Sequence, residues 1–103
     1  MTKINNEYVD LTFTGGVTDT QVFKGQKIVG FYIPSGMVAT SLTINTRTKT
    51  GTLVPVGNVT LTIDPANATY YEWGNVSSLE SIQFVGGTVP DGKIITIAAI
   101  DIK

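Results

Sequence analysis

The sequence contains neither cysteine nor histidine among its 103 residues. Zinc sites built from these residues, iron–sulfur clusters, His- or Cys-ligated haem and disulfide scaffolds are therefore excluded. Ser-His-Asp and Cys-His nucleophilic catalysis are excluded for the same reason. General acid–base catalysis also relies most often on histidine. We therefore expect a protein that is not an enzyme and has no cofactor and no metal site.

Charged side chains are also scarce. They make up 15% of the chain, against about 25% in an average globular protein. Seven Lys and Arg against eight Asp and Glu give a net charge of -1. Nucleic-acid binders usually present a basic face, because phosphate neutralisation supplies much of their affinity, so we expect no nucleic-acid partner. A lightly charged surface is instead easy to desolvate against another protein.

Long apolar segments are missing as well. Residues 1–7 contain no apolar stretch of the kind that forms the centre of a signal peptide. The longest strongly apolar stretch lies near Ile94–Ile100 and is far shorter than the about 20 residues that cross a bilayer. We therefore expect a soluble protein that is made in the cytoplasm and has no membrane partner.

The clearest pattern in the sequence is that of β-strands. Apolar residues alternate with polar ones in segments 9–14, 42–45, 59–63 and 82–84, and a period of two directs one set towards a core and the other towards solvent. Threonine, which suits an exposed pleated surface, dominates the outward positions. No segment has the i, i+3, i+4, i+7 stripe of an amphipathic helix, so we expect essentially no helix.

Turn residues separate these runs at short intervals, which is typical of an all-β sandwich or barrel. The predicted strands span 7–14, 20–24, 27–33, 40–47, 52–56, 58–64, 69–73, 80–85 and 93–102. We predict a single-domain antiparallel β-sandwich, jelly-roll-like, over residues 7–103, preceded by a flexible N-terminal arm over residues 1–6.

The carboxylates do not form a pattern typical of a catalytic or metal site. Asp64 precedes Pro65 and Asp91 precedes Gly92, and both contexts are typical of turns. A calcium loop of the D-x-D-x-D-G kind is absent from the sequence, and nothing favours a pair of carboxylates facing each other across a glycosidic bond. We therefore interpret the acidic residues as turn and surface residues.

Tyr70, Tyr71 and Trp73 form the one dense aromatic group of the sequence. In a strand, Tyr71 and Trp73 would share one face and Tyr70 would lie on the other. Three interpretations remain open. Trp73 packs into the core, the group anchors a protein interface, or it forms a platform on which a sugar stacks.

The segment Phe31–Ile44 adds a more specific pattern. One strand ends at Ile33-Pro34-Ser35-Gly36, and the next begins at Thr40-Ser41-Leu42-Thr43-Ile44. Three later segments continue the pattern, namely Tyr70-Tyr71-Glu72-Trp73, Ser81-Ile82-Gln83-Phe84-Val85 and Lys93-Ile94-Ile95-Thr96-Ile97-Ala98. Over roughly residues 27–103 the chain thereby resembles small structural proteins of tailed-bacteriophage virions.

The resemblance implies a capsid decoration, or cement, protein on the outer surface of a phage head, commonly a β-sandwich and often a trimer. Its partner would be the major capsid protein or another virion protein. It would be made in the host cytoplasm and would end on the capsid surface of the virion. The alternative is a carbohydrate-binding or receptor-binding module of a phage tail or a similar assembly. The candidate interface residues are Asn5, Asn6, Glu7, Tyr8, Pro34, Ser35, Gly36, Met37, Tyr70, Tyr71 and Trp73.

Overall fold

A computed structural model of the chain describes residues 6–23, 25–72 and 80–101. Within these ranges there is no helix, and hence none that is long and apolar enough to cross a membrane. The eight strands are β1 (Asn6–Thr12), β2 (Gln21–Val22), β3 (Gln26–Ile33), β4 (Ser41–Arg47), β5 (Leu53–Thr62), β6 (Thr69–Glu72), β7 (Ser81–Val85) and β8 (Ile94–Asp101).

The strands form two four-stranded antiparallel sheets. The first sheet has the order β1-β8-β3-β6 and the second the order β2-β7-β4-β5. Strands therefore pair from the two ends of the chain inwards, β1 with β8, β2 with β7, β3 with β6 and β4 with β5. Eight strands in this order make a jelly roll, which confirms the predicted all-β, jelly-roll-like sandwich.

The core lies between the two sheets. Phe31 on β3 and Phe84 on β7 meet edge to face, with ring centroids 5.0 Å apart and planes at 89°, so this pair joins the first sheet to the second. Such aromatic pairs contribute beyond the burial of their apolar area. The largest fully buried side chains are Phe13, Phe23, Phe31, Phe84, Ile28, Ile33, Met37, Leu42, Ile44, Leu61, Ile82 and Ile95.

One strand prediction is wrong. The predicted strands 52–56 and 58–64 are one continuous strand, β5. Gly57 and Asn58, which lie where the two predictions meet, are residue types typical of a turn. The pairing of β5 with β4 shifts between Thr43, opposite Thr60, and Asn45, opposite Pro55, so two residues along β4 correspond to five along β5. The turn-like residues therefore lie in a bulge. Pro55 is tolerated because β5 is an edge strand.

The N-terminal boundary differs slightly from the predicted one. Asn6, the last residue of the predicted arm, is the first residue of β1, where its backbone pairs with Ile100. Residues 1–5 of the arm lie outside the described residues.

The two aspartates predicted in turns do accept hydrogen bonds from turn backbone. Asp64 Oδ1 accepts from the amide of Ala66 at 2.9 Å, and Asp91 Oδ1 accepts from the amide of Gly15 at 2.9 Å. Asp64 Oδ2 also accepts from the side-chain amide of Asn67 at 3.0 Å. Both bonds lower the pKa of Asp64 below its ordinary value, and the bond from Asn67 has the larger effect. They do so because both favour the ionised form.

The loop between β3 and β4 contains a strained residue. Val38 has a φ of 68°, a left-handed conformation that is an outlier for a β-branched residue. The amide of Ala39 donates to the carbonyl of Met37 at 2.7 Å, which closes a γ-turn centred on Val38. Met37 and Ala39 are buried, whereas Val38 is 63% exposed. Its two neighbours therefore anchor the loop and hold Val38 outside the core.

Replacing Val38 by glycine is expected to raise the free energy of unfolding by about 1 kcal/mol, since it removes a left-handed β-branched residue and loses little buried surface. Glycine's greater freedom in the unfolded chain offsets part of the gain. Urea denaturation measures the change. The matched control, Val22→Gly, alters an exposed valine in the regular strand β2 and should destabilise. A Val38→Gly variant less stable than the wild type would contradict strain at this loop.

Candidate functional surfaces

The outer faces of the two sheets differ in chemistry. On the second sheet, the buried side chains of Leu42, Ile44 and Phe84 alternate with outward side chains that are exposed or half-buried and mostly polar. We call the part of the outward set that precedes Arg47 along β4 the neutral face, because none of its members is charged. It consists of Ser41, Thr43, Asn45, Thr60, Thr62, Gln83 and Val85.

Cross-strand pairs and hydrogen bonds order the neutral face. Thr43 lies opposite Thr60 on β5 and opposite Val85 on β7. Asn45 Nδ2 donates to Gln83 Oε1 at 3.1 Å, and Gln83 Nε2 donates to the carbonyl of Thr18 at 3.0 Å. The amides are thus fixed by the protein itself, which lowers the entropic cost of ordering this surface against a partner.

The absence of charge determines what the neutral face can do. Burying a hydrogen-bonded hydroxyl or amide is far less costly than burying an ion, and the centres of protein interfaces are depleted in charged residues. The nearest charged side chain along β4 is Arg47 at the end of the strand. The neutral face is therefore a surface that a protein partner can desolvate without burying a charge.

The outer face of the first sheet is aromatic. Tyr8 on β1, Tyr32 on β3 and Tyr70 on β6 are 59%, 45% and 39% exposed. The ring centroid of Tyr32 lies 6.2 Å from that of Tyr8 and 4.5 Å from that of Tyr70, with tilted planes. We call this row the tyrosine face. Three strands that are distant in sequence thus contribute one continuous aromatic surface.

A glycine shapes the tyrosine face. Gly30 is buried beneath Tyr70, and a Cβ atom on it would overlap the Tyr70 hydroxyl oxygen and lie 2.5 Å from the Tyr71 carbonyl oxygen. Only glycine therefore lets the Tyr70 phenol rest on β3. Partial desolvation of the phenol against β3 raises the pKa of Tyr70 above its ordinary value, and the nearby Tyr32, Glu72 and Tyr8 add to the shift.

A groove of about 320 Å³ lies at one end of the tyrosine face. Thr96 Oγ1 donates to Asp10 Oδ1 at 2.6 Å, and Thr69 Oγ1 donates to the carbonyl of Asn67 at 3.3 Å. Both threonine hydroxyls therefore keep lone pairs that accept from a ligand. The lining residues, all uncharged, are Tyr32, Ile33, Pro34, Ala68, Thr69, Tyr70, Ile94 and Thr96.

Three of the predicted interface residues, from separate segments of the sequence, lie on the tyrosine face or in its groove. Tyr8 and Tyr70 belong to the tyrosine face, and Pro34 lines its groove. Ser35 and Gly36 follow at the exposed corner, where the Ser35 carbonyl accepts from Lys93 Nζ at 3.0 Å and the Gly36 amide donates to the carbonyl of Pro65 at 2.7 Å. The exposed Glu7 accepts a hydrogen bond from Gln26. Asn6 lies on β1, and Asn5 and Trp73 lie outside the described residues.

Two candidate interface residues have side chains that serve the core instead. Met37 is fully buried, because the loop between β3 and β4 turns inward at this position. Tyr71 packs against the core from the inner side of β6, and its hydroxyl accepts from the amide of Asp64 at 3.3 Å. The prediction that Tyr70 and Tyr71 lie on opposite faces is correct, and Tyr70 is the one that faces outward.

Tyr32 is not among the predicted interface residues, although the sequence carries a signal for its outward position. It alternates with Phe31 and Ile33, both buried, so the period of two already directs it outward. Its position beside Tyr70 depends on the pairing of β3 with β6. That pairing joins residues far apart in the chain and is not readable from a local pattern.

In the part of the chain that the structure describes, no group of three or more Asp or Glu side chains is placed to hold a metal ion. The neutral face and the tyrosine face are the candidate functional surfaces, and the chemistry of each suits binding. Comparison of the chain with protein-family models, curated proteins and solved structures gave no match.

Proposed function

We propose that this protein is a non-enzymatic structural protein of a phage virion, a head decoration protein that binds the major capsid protein through its neutral face. The observation that carries the proposal is the neutral face itself, an ordered sheet surface with no charged member. It offers hydroxyls, amides and methyl groups, the groups that a partner desolvates most easily.

Two further features support the proposal. Jelly rolls are frequent among viral capsid proteins and lectins, although a fold by itself does not assign a function. The sequence pattern over residues 27–103 resembles that of virion structural proteins. On a head, the protein would link neighbouring capsid subunits and favour the assembled shell by mass action.

We propose that it acts as a homotrimer. Each sheet ends in edge strands, β1 and β6 in the first and β2 and β5 in the second. Exposed edges invite pairing with other chains, and association between copies is one way to cover them. Light scattering coupled to size exclusion should give the mass of three chains, and a monomer at all concentrations would contradict this part of the proposal.

The test of head binding uses heads that carry none of this protein, taken from the phage that encodes it after deletion of its gene. The wild-type protein should sediment with such heads saturably. Thr43→Lys and Thr60→Glu each place a charge at the centre of the neutral face and should weaken binding at least about 100-fold, because either sign of charge must be desolvated. The expected loss is the same for a cation and an anion, which separates desolvation from simple attraction or repulsion.

The matched control is Thr12→Lys. Thr12 is an exposed threonine on β1, on the outer side of the other sheet, so this variant should bind like the wild type. Two results reject the proposal: wild-type protein that fails to bind the heads, or Thr43→Lys and Thr60→Glu variants that bind as well as Thr12→Lys.

A further inference from the structure

We propose that the groove on the tyrosine face binds a neutral sugar residue. This site lies on the opposite sheet from the neutral face, so the inference goes beyond head binding and does not depend on it. The ligand class follows from three properties of the groove, namely its charge, its mixture of ring faces and hydroxyls, and its size.

The walls of the groove carry no charge. All eight lining residues are uncharged. The Lys93 ammonium lies outside the lining, where it donates to the Ser35 carbonyl at 3.0 Å. An ionic group of either sign in the groove would therefore lose its hydration without gaining a counter-ion in the lining. The ligand that suits these walls is neutral.

The walls of the groove also have two kinds of surface. Tyr32 and Tyr70 present ring surface, and Pro34 and Ile94 add aliphatic surface. Thr69 and Thr96 present hydroxyl oxygens whose protons already bond to the Asn67 carbonyl and to Asp10, so these oxygens accept from a ligand. A pyranose ring matches both, because its C–H face is apolar and its hydroxyls donate.

The size of the groove limits the ligand to a small one. About 320 Å³ is close to the lower end, roughly 300 Å³, of the range for small-molecule sites. One sugar residue, with or without the start of a second, fills such a space. At the usual contribution per non-hydrogen atom, a single residue should bind with a dissociation constant of about 1–10 mM.

The probes are the methyl glycosides of glucose, galactose, mannose and N-acetylglucosamine, each added to ¹⁵N-labelled protein up to about 50 mM, well above the expected dissociation constants. At least one should cause saturable shifts of the Thr69, Tyr70 and Thr96 amides. Tyr70→Ala should weaken that binding at least about 10-fold, while Tyr70→Phe, which keeps the ring, should stay within about twofold of the wild type. The spectrum of Tyr70→Ala itself, compared with that of the wild type, shows whether this variant keeps the fold.

The matched control is Tyr8→Ala, which removes a tyrosine of the same face that does not line the groove and should leave sugar binding unchanged. Saturable shifts with none of the four sugars would overturn the inference. Equal losses in Tyr8→Ala and Tyr70→Ala would overturn the assignment to the groove. Binding of methyl glucuronide alone, with none of the four neutral glycosides, would overturn the neutral class.

Discussion

Replacing Phe84 by alanine is expected to lower the free energy of unfolding by about 3–5 kcal/mol. Phe84 is fully buried on β7 and meets Phe31 of the opposite sheet edge to face at 5.0 Å. Its loss would leave a cavity between the two sheets and remove the aromatic contact that joins them. Since a chain of this length is stable by only about 5–15 kcal/mol, a large fraction of the total would disappear.

Urea denaturation monitored by circular dichroism measures the effect of Phe84→Ala. The matched control is Val85→Ala, a truncation of the next residue, which is half-buried on the outer side of the same strand; we expect a loss below about 1 kcal/mol. A Phe84→Ala variant as stable as Val85→Ala would mean that the two sheets do not pack as described.

Replacing Gly30 by alanine should lower the free energy of unfolding by about 3 kcal/mol. The same change should also destroy the groove on the tyrosine face. The new Cβ would lie 2.5 Å from the Tyr71 carbonyl oxygen and would overlap the Tyr70 hydroxyl oxygen. Tyr70 can turn away, but the carbonyl belongs to the backbone of β6, so the two strands must separate. The loss therefore combines overpacking with broken pairing between β3 and β6.

The control for Gly30→Ala is Gly87→Ala. A Cβ on Gly87 meets no atom within 4 Å, and its φ is outside the left-handed region, so alanine there should be neutral or slightly stabilising. Thermal unfolding of both variants and sugar titration of Gly30→Ala measure the two expected losses. Normal stability and an intact sugar site in Gly30→Ala would contradict the account of how Tyr70 is seated.

Much of the fold is predictable from the sequence because strand alternation is a local signal. Leu42 and Ile44 are buried, and Ser41 and Thr43 are exposed, as a period of two requires. The continuity of β5 is not predictable in this way. Glycine and asparagine are favoured both in turns and in bulges, and only the pairing with β4 distinguishes the two.

The candidate surfaces are less predictable than the strands, because they depend on which strands become neighbours. Tyr8 and Tyr32 lie on opposite sides of β8, so their contact requires the long-range order of the first sheet. Met37 shows the converse difficulty. Its corner is exposed in the way that the proline and glycine indicate, yet the backbone directs this one side chain into the core.

The direct test of the central proposal determines which sheet faces the shell. Because the chain has no cysteine, Thr43→Cys and Thr12→Cys each introduce a single thiol, one on the neutral face and one on the other sheet. Each variant is treated with a maleimide, once free in solution and once bound to heads. The rate of labelling is measured by mass spectrometry as the gain in mass of this chain. We predict labelling at least about 10-fold slower for bound Thr43→Cys and unchanged for Thr12→Cys. The proposal would be contradicted if head binding slowed the labelling of Thr12→Cys and left the labelling rate of Thr43→Cys unchanged.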